Sequence, residues 1–208
     1  METFTPDKLL AGDYPLVTDI LTILSGQNLS RGALLGKITV AVPATGAAGA
    51  GNTGDGTCTL VVGKSGAIVE TFTLTCTVAA ANGGVFSVVG SKTGRLADAS
   101  VGVAYENSCI GFTLNDGAAD FIVGDTFTIT IAAGSGKHIL CDSAAVNGSQ
   151  TPVAILAEGC DASAADKTAV AYITGAFNQA ALTYGGADTA DTHRAALRDL
   201  NIYLKSVA

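Results

Sequence analysis

Between Ile68 and Val78 the chain reads IVETFTLTCTV, with Thr71, Thr73, Thr75 and Thr77 alternating with Phe72, Leu74, Cys76 and Val78. Successive side chains of a strand point to opposite faces, so a period of two marks a strand with one face in a core and one in water. Ile68, Phe72, Leu74, Cys76 and Val78 fall on the expected buried face. The pattern recurs at Ile110/Phe112/Leu114 and at Phe127/Ile129/Ile131, the last interleaved with Thr126, Thr128 and Thr130. Thr57–Val62 and Val85–Val89 add two more candidate strands. Asn82-Gly83-Gly84, Asn115-Asp116-Gly117 and Val123-Gly124-Asp125 supply the turns between them. Short strands at this spacing with threonine-rich outer faces predict an antiparallel β-sandwich.

The flanking text is written differently. Residues 1–15, METFTPDKLLAGDYP, have no sustained period and two prolines, and they read as an extended N-terminal arm. Leu16–Leu24 and Leu34–Val40 read as strands, with Gly32 and Gly36 at turns or bulges. From Pro43 to Gly56 small residues dominate, in a tract expected to act as a linker. After Ala133 the style of residues 16–40 resumes. Val153–Leu156 and Ala169–Ile173 read as strands, Gly175 is expected to end the second, and Asp161–Asp166 forms a loop. The C-terminus reads as a helix capped by Asp188 or Thr189, with Ala196, Leu197, Leu200 and Leu204 as its apolar stripe. The resulting expectation is a mostly β chain: a β-rich core domain with a C-terminal helix, formed by 16–41 and 134–208. An Ig-like β-sandwich domain, 42–133, is inserted into it.

With 208 residues, 48% of them apolar and only 14% charged, the chain has ample material for a core and none of the charge excess of a disordered one. The net charge is −7, and its 11 basic residues are scattered, which argues against nucleic acid as a partner. Leu16–Leu24 is too short and too polar to cross a membrane, and Met1-Glu2-Thr3 is no basic leader. Five cysteines without C-x-x-C spacing read as free buried thiols made in a reducing cytoplasm.

Motifs that carry chemistry fail on context. Gly49-Ala-Gly51-Asn-Thr-Gly54 matches G-x-G-x-x-G, but no helix follows to meet a pyrophosphate, so no nucleotide cofactor is expected. Gly134-Ser-Gly136-Lys137-His138 lacks the outer glycine and the hydroxyl of a phosphate loop. His138 and His193 are the two histidines, read as surface side chains at a domain boundary and on a solvent-facing helix turn. Neither lies near a nucleophile elbow. The acidic pairs Asp116/Asp120, Asp161/Asp166 and Asp188/Asp191 suit turns and caps, and no calcium-loop pattern is present, so no metal is expected. The chain reads as a structural protein and not as an enzyme. The competing class is an Ig-like adhesin or carbohydrate-binding module on a virion or cell surface, disfavoured because the insert offers few aromatics beyond Tyr105.

Three stretches carry a resemblance: Asp142–Leu156, Asp161–Asp166, and Gly175-Ala-Phe177-Asn178-Gln179-Ala-Ala-Leu182-Thr-Tyr184 ahead of the terminal helix. In this order they resemble the lambda-type head decoration proteins of tailed phages. Phe72–Thr75, Asn82–Val88 and Asp120–Ile131 are similar to phrases in family members that carry a β insertion. Tyr184 stands where the family often has Trp. The resemblance implies a homotrimer on the capsid exterior at (quasi-)threefold positions, bound to the major capsid protein and stabilising the expanded head. It also implies an N-terminal arm that adds a strand to coat-protein edges, with Phe4, Pro6, Leu9, Leu10 and Tyr14 as anchors. Phe177, Leu182 and Tyr184 are candidates for the trimer interface or the core, and the insert is a candidate for contact with a host surface.

Overall fold

The computed structural model describes residues 8–207, and they form two compact units, one from residues 8–38 with 136–207 and one from Thr39–Ser135. The first unit begins with β1 (Val17–Ile23), β2 (Gln27–Leu29) and β3 (Leu34–Lys37). The second contains β4 (Val40–Ala41), β5 (Ala47–Ala48), β6 (Thr57–Gly63), β7 (Glu70–Ala80) and β8 (Gly83–Gly90). It continues with β9 (Gly94–Arg95), β10 (Ala99–Ser100), β11 (Ala104–Glu106), β12 (Ile110–Asn115) and β13 (Thr126–Ala133). The chain then returns to the first unit with β14 (His138–Leu140), β15 (Pro152–Leu156), β16 (Cys160–Ala162) and β17 (Lys167–Asn178). A 3₁₀ turn (Gln179–Ala181), α1 (Ala190–Asp199) and β18 (Ile202–Lys205) complete it. The protein is mostly β, with one α-helix among the described residues, near the C-terminus.

In the first unit β1, β14, β3, β15 and β17 pair in that order, and β17 pairs back onto β1, which closes a small barrel. Strands β3 and β15 are buried on both faces, which explains why Leu34-Leu35 and Ala154-Ile155-Leu156 show no alternation. Leu35, Ala154 and Leu156 join Ile23, Ala169 and Ala171 in one cluster; Leu34 and Ile155 join a second with Phe177, Leu197 and Ile202. So narrow a barrel fills with small side chains, which accounts for the alanines.

Gly175 does not end β17. The strand runs on to Asn178 and changes partners, from β1 and β15 to β18, which pairs with Gly175–Asn178 in parallel. Gly175 has φ of +150°, and a Cβ there would lie 2.6 Å from Leu16 Cδ2 and 2.7 Å from the Phe177 ring. Only glycine makes this corner without strain.

The helix is shorter than its apolar stripe predicts. It stops at Asp199, Asn201 takes a left-handed φ of +60°, and Leu204 lies in β18. Thr189 caps its start, and its N–H donates to Thr192 Oγ1 at 3.1 Å.

In the second unit one sheet runs β10-β8-β7-β13-β4, with β5 on β13 and β9 on β8, and the other runs β11-β12-β6. Side chains of both, among them Phe72, Leu74, Phe86, Phe127 and Ile129 from the first and Cys58, Ile110 and Leu114 from the second, share one cluster. Alternation holds for Phe72, Leu74 and Cys76 but not at the ends. Ile68 precedes β7, and the register shifts between Cys76 and Val78, so both Ile68 and Val78 are exposed. The outward threonines face one another in register: Thr71 with Thr130, Thr73 with Thr128, Thr75 with Thr126.

The Pro43–Gly56 tract is not a linker. Ala47 and Ala48 pair with β13, Gly46 N–H donates to Cys58 O at 3.0 Å, and Gly49 N–H to Thr126 O at 2.9 Å. Its lack of bulk serves close packing: a Cβ on Gly56 would lie 2.3 Å from the Phe121 ring.

Candidate functional site

The N-terminal segment is fixed at its base. Leu10 bridges antiparallel to Phe177, Asn178 N–H donates to Leu9 O at 2.8 Å, and Ala11 N–H donates to Ala176 O at 2.9 Å. Leu9 is only 2% exposed and packs with Leu34, Phe177 and Leu182. The arm expected over 1–15 is therefore anchored on its own unit by Leu9–Ala11. Burying a leucine side chain is worth about 1.5–3 kcal/mol, which holds this foot in place. Leu9 is a core residue and not a free anchor for a partner, and Leu10 is partly buried against the same cluster. Tyr14 remains partly exposed, its ring edge-on to Tyr203 at 4.8 Å. Phe4 and Pro6 lie outside the described residues.

Phe177, Leu182 and Tyr184 come together, but inward. Phe177 is fully buried, Leu182 nearly so, and Tyr184 packs against the same cluster with its hydroxyl donating to Gln179 O at 3.3 Å. All three side chains are used inside their own unit.

Both histidines are buried, contrary to the surface reading. His138 opens β14, and its Nδ1 lies 3.2 Å from Thr22 O. Burial pushes its imidazole below the ordinary histidine range, against the opposing pull of that carbonyl. His193 faces inward from α1. Its Nε2 is 2.8 Å from Asp188 Oδ2, its Nδ1 is 4.0 Å from Cys141 Sγ, and its ring stacks on Tyr184. Asp188 also accepts from the N–H and the hydroxyl of Ser143. Burial works to raise the Asp188 carboxyl, but the Ser143 and His193 donors overcome it and hold it below the usual range.

Cys141, His193 and Asp188 thus share the residue types of a thiol hydrolase, which sequence distance had hidden. The chemistry does not follow. Cys141 is fully buried, its thiol is pushed up to about 12 by that burial and then by Asp188 and Asp142, and it donates toward Gln150 O at 3.5 Å. A protonated thiol shielded from solvent is not a nucleophile. The cluster instead ties α1 to the chain after β14.

The glycine loop at 49–54 is likewise filled by its own protein. The Asp125 carboxylate accepts N–H bonds from Thr53 at 2.9 Å, Gly54 at 2.9 Å and Ile122 at 3.1 Å. Asn52 and Thr126 exchange two bonds of 2.8 Å. The amides that would meet a phosphate meet a carboxylate. Among the described residues, no group of three or more His, Cys, Asp or Glu is arranged to hold a metal ion. No helix among them is long and apolar enough to cross a membrane.

Among the described residues, the Cys141–His193–Asp188 cluster and the glycine loop at 49–54 are both occupied by the chain's own groups. No curated protein matches the chain. The crystal structure of Xanthomonas campestris FlgL is similar at 15% identity and a TM-score of 0.32, over 57% of this chain and 40% of that one, and carries no argument at that level. The model of the family described as bacteriophage lambda head decoration protein D matches residues 1–203. With nearly its whole length matched, the chain belongs to the bacteriophage lambda head decoration protein D family, whose members are structural proteins of the phage capsid exterior and not enzymes.

Proposed function

We propose that this protein binds the outer surface of a phage capsid as a trimer at (quasi-)threefold positions, contacts the major capsid protein and stabilises the expanded head. The observation that carries the reading is the family match over residues 1–203. The fixed foot at Leu9–Ala11 supports it, because it ties the chain just after residues 1–7 to β17. Seven extended residues span at most about 25 Å. Phe4 and Pro6 are the apolar anchors of that part. Three such arms on one trimer multiply weak contacts through effective concentration.

The test is light scattering on the purified protein followed by cosedimentation with expanded heads. The expected result is a mass about three times 20.6 kDa and retention on heads. Deleting residues 2–7 leaves the trimer folded and releases it from heads, with at least a tenfold loss of affinity. Extending the deletion past Leu9 also lowers the melting temperature, since it empties a core position. A monomer that stays in the supernatant with heads present overturns the proposal.

A further inference from the structure

The barrel wall has an open stretch. Strand β1 pairs along its length with β17 on one side, but on the other it meets β14 only at Ile23, opposite His138. Thr22 O lies toward the His138 ring, and Leu24 N–H donates to His138 O, so these even-numbered residues turn their backbone groups toward β14. By the period of two, Thr18 and Ile20 turn theirs the same way. There, among the described residues, no strand pairs with them. The Ile20 N–H is met only by the carboxylate of its neighbour, Asp19 Oδ1, at 2.7 Å.

The side chains on this stretch are equally unprovided for. Ile20 is 68% exposed, and Leu16 and Val17 are nearly half exposed. An open edge with exposed apolar side chains is a template for another strand. The opposite end of the sheet shows what a closed edge looks like: the outward Leu204 carbonyl of β18 accepts from Arg194 Nη1 at 3.1 Å.

Charge selects the occupant. Asp19 is the one charged side chain between Tyr14 and Ile23. Two copies of this edge laid antiparallel on each other would set Asp19 against Asp19, and like charges directly opposite are destabilising. A strand with Lys or Arg at that position completes both the ladder and the charge. We propose that the outward edge of β1, from Thr18 to Ile20, accepts an extended strand of the capsid shell that carries a basic side chain opposite Asp19. Main-chain bonds to Thr18 and Ile20 give affinity, and Leu16, Val17 and Ile20 bury against its alternate side chains. In the free protein Asp19 covers the Ile20 donor and keeps the edge from pairing at random. The proposal rests on the capsid-binding reading above, and places a second contact just after the foot of the arm.

The experiment uses the full chain and expanded heads lacking it. Ile20→Lys and Asp19→Lys each weaken retention on heads at least tenfold while leaving the melting temperature unchanged. In the wild type, hydrogen exchange at the Thr18 and Ile20 amides slows on heads. If wild-type protein binds heads, both variants bind equally well and those amides exchange as in free protein, the edge proposal falls and capsid binding stands. If wild-type protein does not bind heads, both fall together. If Ile20→Lys instead dissolves an oligomer seen by light scattering, the occupant is a second copy and the shell strand is overturned.

Discussion

In the inserted unit Phe72, Phe86, Phe112, Phe121 and Phe127 fill one layer between two sheets, whereas the described part of the barrel unit buries a single phenylalanine, Phe177. Its interior is lined by Ala154, Ala162, Ala169 and Ala171. The two solutions have different costs. A sandwich keeps each strand half in water and draws its core from one contiguous stretch of sequence. The barrel must cover its wall from outside as well, and recruits Leu9, Leu197 and Ile202 from opposite ends of the chain to do so. The barrel unit therefore depends on long-range closure, which is entropically slow to form.

The largest test of that contrast truncates one aromatic in each unit. Phe127→Ala and Phe177→Ala each cost about 3–5 kcal/mol. Scanning calorimetry on the two variants is expected to show each lowering a different transition. If both lower the same one, the units melt as one body and the contrast is only geometric. Leu9→Ala comes next, at about 2–5 kcal/mol, and acts on the barrel transition alone. Gly175→Ala, forced into a φ of +150° against Leu16 and Phe177, costs about 1–3 kcal/mol on that same transition.

Acid sharpens the comparison further, because each unit holds a buried carboxylate below its ordinary range, Asp125 in the sandwich and Asp188 in the barrel unit. Burial acts to raise Asp125, but the N–H groups of Thr53, Gly54 and Ile122 more than offset it; Asp188 is held down in the same sense by Ser143 and His193. A folded value below the unfolded one contributes stability above the usual carboxylate value of 3.8 that is lost as pH falls through the folded value. Melting curves from pH 6 down to about pH 3 are expected to show both transitions falling. Asp125→Asn weakens that acid dependence in the sandwich only, and Asp188→Asn weakens it in the barrel unit only, where Asp161 and Asp166 are also held low. Smallest of all, Ile68→Thr and Val78→Thr change stability by no more than about 0.5 kcal/mol, because both side chains are already in water.

The same contrast governs what was legible in advance. Period two identified β7 and β13, since each has one wet and one dry face, and β12, whose outer face is half-buried; it failed only where β7 had not begun or had passed its bulge. It had nothing to say about β3 and β15, which are dry on both faces. The Pro43–Gly56 tract looked like a linker because composition reports bulk and not hydrogen bonding, and Asn52, Thr53 and Gly54 are held by Thr126 and Asp125. Gly175 looked like a strand end because a left-handed corner inside a strand has no signature beyond the glycine itself. The helix was read too far because Leu197 and Leu204 share helical spacing although the chain reverses at Asn201. His193 was misread because Asp188 and Cys141, the groups that accommodate it, lie five and 52 residues away. On the candidate surface, the sequence marked the N-terminal segment but not the point at which it becomes core.

All five thiols are buried, Cys58, Cys76 and Cys109 in the sandwich and Cys141 and Cys160 in the barrel unit. Burial lifts Cys58 to about 11 and Cys141 to about 12, leaving too little thiolate to alkylate or to exchange. A chain built this way resists oxidation while folded, and it carries its own tamper seal. On the purified chain, a maleimide records by the cysteines it marks which of the two units opened, and the folded protein takes up little label.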